Sequence, residues 1–247
     1  MLGLPDGIRS CLFDLDGVLT KTSAVHAAAW TETFNEFLRD WSVQRGQPLV
    51  PFDPVADYEQ YVDGKPRVDG TRSFLTSRAI HLPDGRDDDP PDARTIYGLS
   101  NRKNQILRAT LASKGVEVYE GSVRYVRAVR DRDLRRAVVT SSANSREVLG
   151  AAHIEDLFEV RIDGIMAKRE HLRGKPAPDM YLAAARAFGL EPSVAAVFED
   201  AQAGVAAGRA GGFGYVVGVD RLGQADALRE HGADVVVNDL AELLSQS

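Results

Sequence analysis

Six short apolar runs limit what this chain can fold into. The first, Cys11-Leu12-Phe13, is entered from Arg9-Ser10 and stops at Asp14-Leu15-Asp16-Gly17. The others come much later, at 137–140, weakly around 160–162, then at 194–198, 215–219 and 235–237. Runs this short, bounded by turn residues, read as buried strands. Between the later ones lie helical patterns over 123–131, 145–152, 179–188, 202–210 and 223–231. Strands alternating with helices predict an α/β fold whose parallel sheet is covered on both faces.

The stretch from Thr22 to Lys103 departs from that rhythm. Val25, Ala28, Ala29, Thr33 and Phe37 form a stripe that gives 24–38 helical spacing, and 72–80 and 99–111 also read as helices, with no convincing strand among them. The expected organisation is a core made of residues 1–21 and 106–247, interrupted by a helical insert over 22–105. Residues 41–52 and 81–93 read as loops of that insert. Within the second, Asp87-Asp88-Asp89-Pro90-Pro91 reads as a solvated acidic turn rather than a metal site.

Composition narrows the function classes. The chain carries 30 Lys plus Arg against 36 Asp plus Glu, a net charge of −6, which disfavours nucleic acid as a partner. Hydrophobic residues at 44% against 27% charged are enough for an ordered core. A single cysteine, Cys11, allows neither an internal disulfide nor a cysteine metal cluster and reads as a buried strand thiol, which fits a reducing cytoplasm. Residues 1–10 lack the basic and apolar regions of a secretion signal, and no apolar stretch approaches the roughly 18 residues needed to span a bilayer. A soluble, cytoplasmic monomer without membrane attachment is expected.

In open parallel sheets, ligands sit at the carboxyl ends of the strands. Here the first run ends in Asp14 and Asp16, two positions apart, so an extended chain sends both carboxylates to one side. The 137–140 run ends in Thr140, Ser141 and Ser142; Gly174-Lys175-Pro176 precedes a helix; the 194–198 run ends in Glu199 and Asp200. Brought together, these residues form an acidic pocket with one ammonium and several hydroxyls. Asp14, Asp16, Glu199 and Asp200, without cysteine or paired histidines, suit a hard oxygen-liganded ion, best Mg²⁺. Such a site fits phosphoryl transfer, with Asp14 as the nucleophile that becomes an aspartyl phosphate. Asp16 would protonate the leaving oxygen and later deprotonate the acceptor, with Lys175 part of the charge clamp and Thr140 the residue orienting a phosphoryl oxygen.

Taken in order, Phe13-Asp14-Leu15-Asp16-Gly17-Val18-Leu19-Thr20, Thr140, Lys175-Pro176-Ala177-Pro178-Asp179 and Phe198-Glu199-Asp200-Ala201-Gln202-Ala203-Gly204 resemble the four motifs of the haloacid dehalogenase superfamily. That likeness implies a Rossmann-like core with an α-helical cap inserted after the first motif and closing over the substrate. It also implies that the second aspartate, Asp16, marks a phosphatase or phosphomutase.

Within the superfamily the chain resembles the β-phosphoglucomutase family through both core and insert, though its insert is longer. This implies a sugar-phosphate substrate, with β-D-glucose 1-phosphate and glucose 6-phosphate interconverted through β-glucose 1,6-bisphosphate as activating intermediate. Thr22, His26 and Trp30 match the hinge and first cap helix, which assigns His26 to coupling cap closure with the placement of Asp16. Gly64-Lys65-Pro66-Arg67 matches the cap loop whose arginine holds the distal phosphate. Arg102-Lys103-Asn104 matches the segment whose lysine faces the sugar. Ser142 and Asn144 match positions that help hold the distal phosphate, while Ala143 stands where a lysine is often found.

A sugar-phosphate phosphatase, with water as acceptor, is the enzyme alternative. A phosphoacceptor signalling domain is disfavoured: it needs only about half this length, and its phosphorylated aspartate follows a central strand of the order rather than the first. Elsewhere, Gly204 and Gly208 read as close helix packing, and His81, His153, His171 and His231 show no ligand spacing.

Overall fold

The computed structural model describes residues 1–244. They form two compact units, one from Met1–Thr22 together with the chain from Val116 onward, the other Ser23–Gly115.

The first unit is built on six strands: β1 (Ser10–Phe13), β2 (Arg135–Val139), β3 (Val160–Ile162), β4 (Ala195–Glu199), β5 (Tyr215–Val219) and β6 (Val235–Val237). They make one all-parallel sheet in the order β3-β2-β1-β4-β5-β6. The earliest strand is therefore central. Later connections run outward from it in both directions, so the carboxyl end of β1 is a topological switch point, where such sheets bind ligands.

Helices of this unit are α4 (Glu120–Arg130), α5 (Ser145–Ala151), α6 (Gly164–Arg169), α7 (Asp179–Phe188), α8 (Gln202–Ala210) and α9 (Ala225–Glu230). Every residue of β1 is buried because both faces are covered. Leu12 joins Val139, Val197, Met180, Tyr181 and Val205 on one side. Phe13 points to the opposite side, stacks on Phe198 at 4.4 Å and meets Tyr125 edge-on at 6.3 Å. The alternation follows from the two-residue period of a strand. Cys11 is fully buried, as expected, and burial pushes its thiol pKa up.

The second unit contains α1 (Ser23–Arg45), α2 (Arg67–Ser77), α3 (Ile96–Lys114) and a π-helical turn at Tyr58–Val62, with no strand. Its core is aromatic: Trp30 stacks on Phe34 at 5.0 Å, and Phe34 lies 4.2 Å from Phe74, beside Phe52.

Two expectations need correction, and one helix lies outside them. Residues 41–45, read as loop, continue α1, because Phe37, Trp41 and Arg45 follow at helical spacing: Trp41 lies 5.7 Å from Phe37 and Arg45 lies 4.2 Å over the Trp41 ring. Helix α3 runs unbroken past residue 105 and ends at Gly115, whose φ of +74° suits glycine, so the second junction falls there. Helix α6 was not foreseen; Asp163 caps it by accepting from the amides of Ile165 and Met166. The 81–93 stretch has no regular element, as read from sequence.

Candidate active site

The first unit gathers Asp14, Asp16, Thr140, Lys175, Glu199 and Asp200 at the carboxyl ends of β1, β2 and β4. Strand register does most of this: Phe13 is level with both Val138 and Phe198, so the residues that follow leave the sheet side by side. The Asp14 amide donates to the Phe198 carbonyl at 2.9 Å, which extends the pairing one residue into the site. Gly17, with φ of +91°, then turns the chain, and its amide donates to the Thr20 carbonyl at 2.8 Å.

Lys175 is the hub. Its ammonium donates to Asp14 Oδ1 at 2.5 Å, to the Val139 carbonyl at 3.1 Å and to Glu199 Oε1, which uses all three of its protons. Glu199 is in turn held by the Tyr181 hydroxyl at 2.8 Å and the Ala201 amide at 3.1 Å. Gly204 makes room for this carboxylate, since a Cβ there would sit 1.8 Å from Glu199 Oε1. Gly208 meets the expectation of close packing, 3.2 Å from Val216 and 3.3 Å from Val197 at the corresponding Cβ position.

Asp14, Lys175, Glu199 and Asp200 are all buried. Burial pushes the Asp14 carboxyl well above the usual range; Lys175 pulls it down, and the charges of Glu199 and Asp16 push it up again. For Lys175 burial acts to lower the pKa, but the charges and hydrogen bonds of Asp14 and Glu199 outweigh it and hold the ammonium above the ordinary lysine value. Tyr181 is also raised, by burial first and by the Glu199 charge second, so its hydroxyl keeps the proton it donates.

Asp14, Glu199 and Asp200 each present an oxygen within 4.8 Å of the others. Three carboxylates cluster here and two of them, Asp14 and Glu199, touch the ammonium; a divalent cation would offset the excess negative charge, and an all-oxygen donor set fits Mg²⁺. The Asp16 carboxylate, expected as a fourth ligand, is not in this group. It accepts from the Thr22 hydroxyl at one oxygen and from Thr140 Oγ1 at 3.4 Å at the other, because the turn at Gly17 carries it toward those hydroxyls. Thr140 Oγ1 also accepts from the Ser142 amide at 3.0 Å, and Ser142 Oγ accepts from the Asn144 amide at 3.2 Å, so the loop after β2 is tied to the same point.

Sequence reading missed Tyr181. Its signal was faint: a tyrosine on the buried face of α7, whose hydroxyl must find a partner there. Thr22 was noted only for its likeness, yet its hydroxyl holds Asp16.

In the second unit, Lys103 Nζ lies 3.1 Å from His26 Nδ1 and 5.0 Å over the Trp30 ring. Arg67 opens α2 after the turn at Gly64, where φ is +69°. Its guanidinium donates to Asn101 Oδ1 at 3.3 Å.

A buried lysine shared between strand-end carboxylates on a doubly wound parallel sheet defines a class: α/β proteins that act on anionic substrates at the switch point. The comparisons specify it. The family model for haloacid dehalogenase-like hydrolases matches residues 8–212, and the chain belongs to that family. It is 55% identical to the β-phosphoglucomutase of Mycobacterium tuberculosis (strain CDC 1551 / Oshkosh), over 99% of this chain and 94% of that protein. Among solved structures it matches a β-phosphoglucomutase from Clostridium difficile with a TM-score of 0.75 at 21% identity, covering 96% of this chain and 93% of that one. A hydrolase from Pseudomonas syringae matches with the same TM-score and identity, covering 96% and 97%. At that identity the two structures speak for the fold alone.

Proposed function

We propose that this protein is a Mg²⁺-dependent β-phosphoglucomutase, interconverting β-D-glucose 1-phosphate and glucose 6-phosphate through β-glucose 1,6-bisphosphate. The observation that carries the reading is the Asp14–Lys175–Glu199 cluster beside Asp200, in a chain 55% identical over nearly its whole length to a protein of that description.

Asp14, Glu199 and Asp200 would hold the ion, and when bound it supplies positive charge beside the transferring phosphoryl group. Phosphorylated Asp14 gives its phosphoryl group to O6 of β-glucose 1-phosphate. The O6–P bond forms as the Asp14 O–P bond breaks, and Asp16 takes the O6 proton. The bisphosphate then rebinds reversed. Asp14 attacks the phosphorus on O1, and Asp16 returns the proton to O1 as glucose 6-phosphate leaves. Lys175 holds Asp14 in line for attack, and Thr140 orients a phosphoryl oxygen.

A mutase must also hold the phosphate that is not reacting. Arg67 suits this because guanidinium pairs with phosphate in a bidentate fashion; Ser142 and Asn144 assist, and Lys103 faces the sugar. His26 and Gly64 are assigned on the family resemblance. No helix among the described residues is long and apolar enough to cross a membrane, and a cytoplasmic monomer is part of the proposal.

The test is to supply β-D-glucose 1-phosphate with Mg²⁺ and a trace of bisphosphate. Glucose 6-phosphate should accumulate without inorganic phosphate. Inorganic phosphate alone would replace the mutase reading with a phosphatase.

A further inference from the structure

Arg67 makes no ion pair with a carboxylate among the described residues. Burial lowers its pKa, and the only group nearby that opposes this is Tyr97. What holds it is the neutral side chain of Asn101, one turn into α3. Asn101 is itself fixed from the other end: its Nδ2 donates to the backbone carbonyls of Asp87 and Asp89, both at 2.9 Å. Guanidinium can only donate and the two carbonyls can only accept, so the amide has one workable orientation, with Oδ1 toward Arg67.

The carbonyls belong to the irregular 81–93 stretch, which is anchored. Asp89 Oδ2 accepts from Thr95 Oγ1 at 2.6 Å and from the Arg86 amide at 3.1 Å. Ile96 and Tyr97 donate their amides to the carbonyls of Pro83 and Asp84, each at 3.0 Å. Asp84 also pairs with Arg72 of α2 at 3.0 Å. Gly85, with φ of +77°, is needed where it stands, since a Cβ would lie 2.1 Å from Asp89 Oδ2.

We infer that Asn101 is a positioning residue, a neutral brace that ties the Arg67 guanidinium to the 81–93 loop and keeps its full positive charge available to a phosphate. The inference rests on the reading of Arg67 as the residue for the distal phosphate. It gives the acidic loop a role through its backbone carbonyls, while the Asp89 carboxylate holds the loop itself. A carboxylate in place of Asn101 would neutralise the guanidinium and be repelled by both carbonyls, so the amide is the side chain this position requires.

The experiment is a double-mutant cycle on the full chain with Mg²⁺, reading KM and kcat for β-D-glucose 1-phosphate. Asn101→Ala should raise KM about tenfold with kcat changed less than about twofold, the pattern of lost binding to a charged group. Arg67→Ala should raise it further, and the double variant should lie within about twofold of Arg67→Ala alone. In Asn101→Asp, which keeps the shape of the side chain, KM should rise more than in Asn101→Ala; the reverse ranking overturns the neutral brace. If Arg67→Ala raises KM while Asn101→Ala does not, or if the two effects multiply, the inference falls alone. If Arg67→Ala leaves KM unchanged, the reading of Arg67 falls and the inference with it.

Discussion

In the first unit Lys175 is gripped by two carboxylates and a carbonyl, out of reach of solvent. In the second, Arg67 is held by the neutral amide of Asn101. The two arrangements solve different problems. A strand-end site that collects acids needs a resident cation to keep the carboxylates together, because like charges in a low dielectric drive each other's pKa up. Under the proposed function Arg67 has to attract an anion, and for that it needs a positive charge that no carboxylate has neutralised. Neutral bracing orients the cation at little cost to its field.

The comparison can be broken first at its hubs. Lys175→Met leaves buried Asp14 and Glu199 without their cation, and removal of one partner from a buried pair costs about 3–5 kcal/mol. Thermal unfolding should show a large loss of stability, partly restored by added Mg²⁺ as the ion binds the folded acids. Arg67→Ala orphans no buried carboxylate and should change stability by less than about 1 kcal/mol while damaging sugar-phosphate KM. Equal destabilisation by the two substitutions would erase the distinction.

A smaller effect tests the grip on Glu199. Gly204→Ala puts a methyl group on the Glu199 carboxylate, which Lys175, Tyr181 and the Ala201 amide hold in place. A loss of about 1–3 kcal/mol is expected, as for overpacking, together with reduced turnover, measured by melting and by the coupled mutase assay. An unchanged rate would mean that the Glu199 position is not critical.

The smallest effect concerns an exposed pair outside the site. Hydrogen bonds from Arg173 hold the Asp179 carboxyl below its ordinary 3.8, with both guanidinium and backbone amide donating. A depressed carboxyl contributes stability above its ordinary pKa and loses it as pH falls through the lowered value. Asp179→Asn should therefore melt slightly below the parent at pH 7, and the difference should vanish under strongly acidic conditions. A gap that widens on acidification would reverse the assigned sign. Together with Lys175→Met it separates a solvent-screened ion pair from a buried one.

Much of the first unit was legible because its signals are local. Apolar runs ending in Asp14, Thr140 and Glu199 mark both strand and site, and a strand's direction decides which end binds. The 41–45 end of α1 and the whole of α6 were less legible. One is a polar helix end held by the Phe37–Trp41–Arg45 stripe, the other a six-residue helix nucleated by a cap. Tyr181 left only a faint signal, since its place on the buried face of α7 calls for a hydroxyl partner but nothing in its neighbours shows that the partner is Glu199.

From the residues alone follow the order of the strands and of the helices other than α6, the helical interruption after the first strand, and the acids, lysine and hydroxyl that meet at strand ends. These depend on periodicity and on chemistry carried by each motif. Which acid Lys175 touches, that the Asp16 carboxylate turns to Thr22 and Thr140, and that Asn101 joins Arg67 to a loop depended on tertiary structure. Each is a distance between atoms far apart along the chain, set by strand register and helix packing, and no local pattern encodes it.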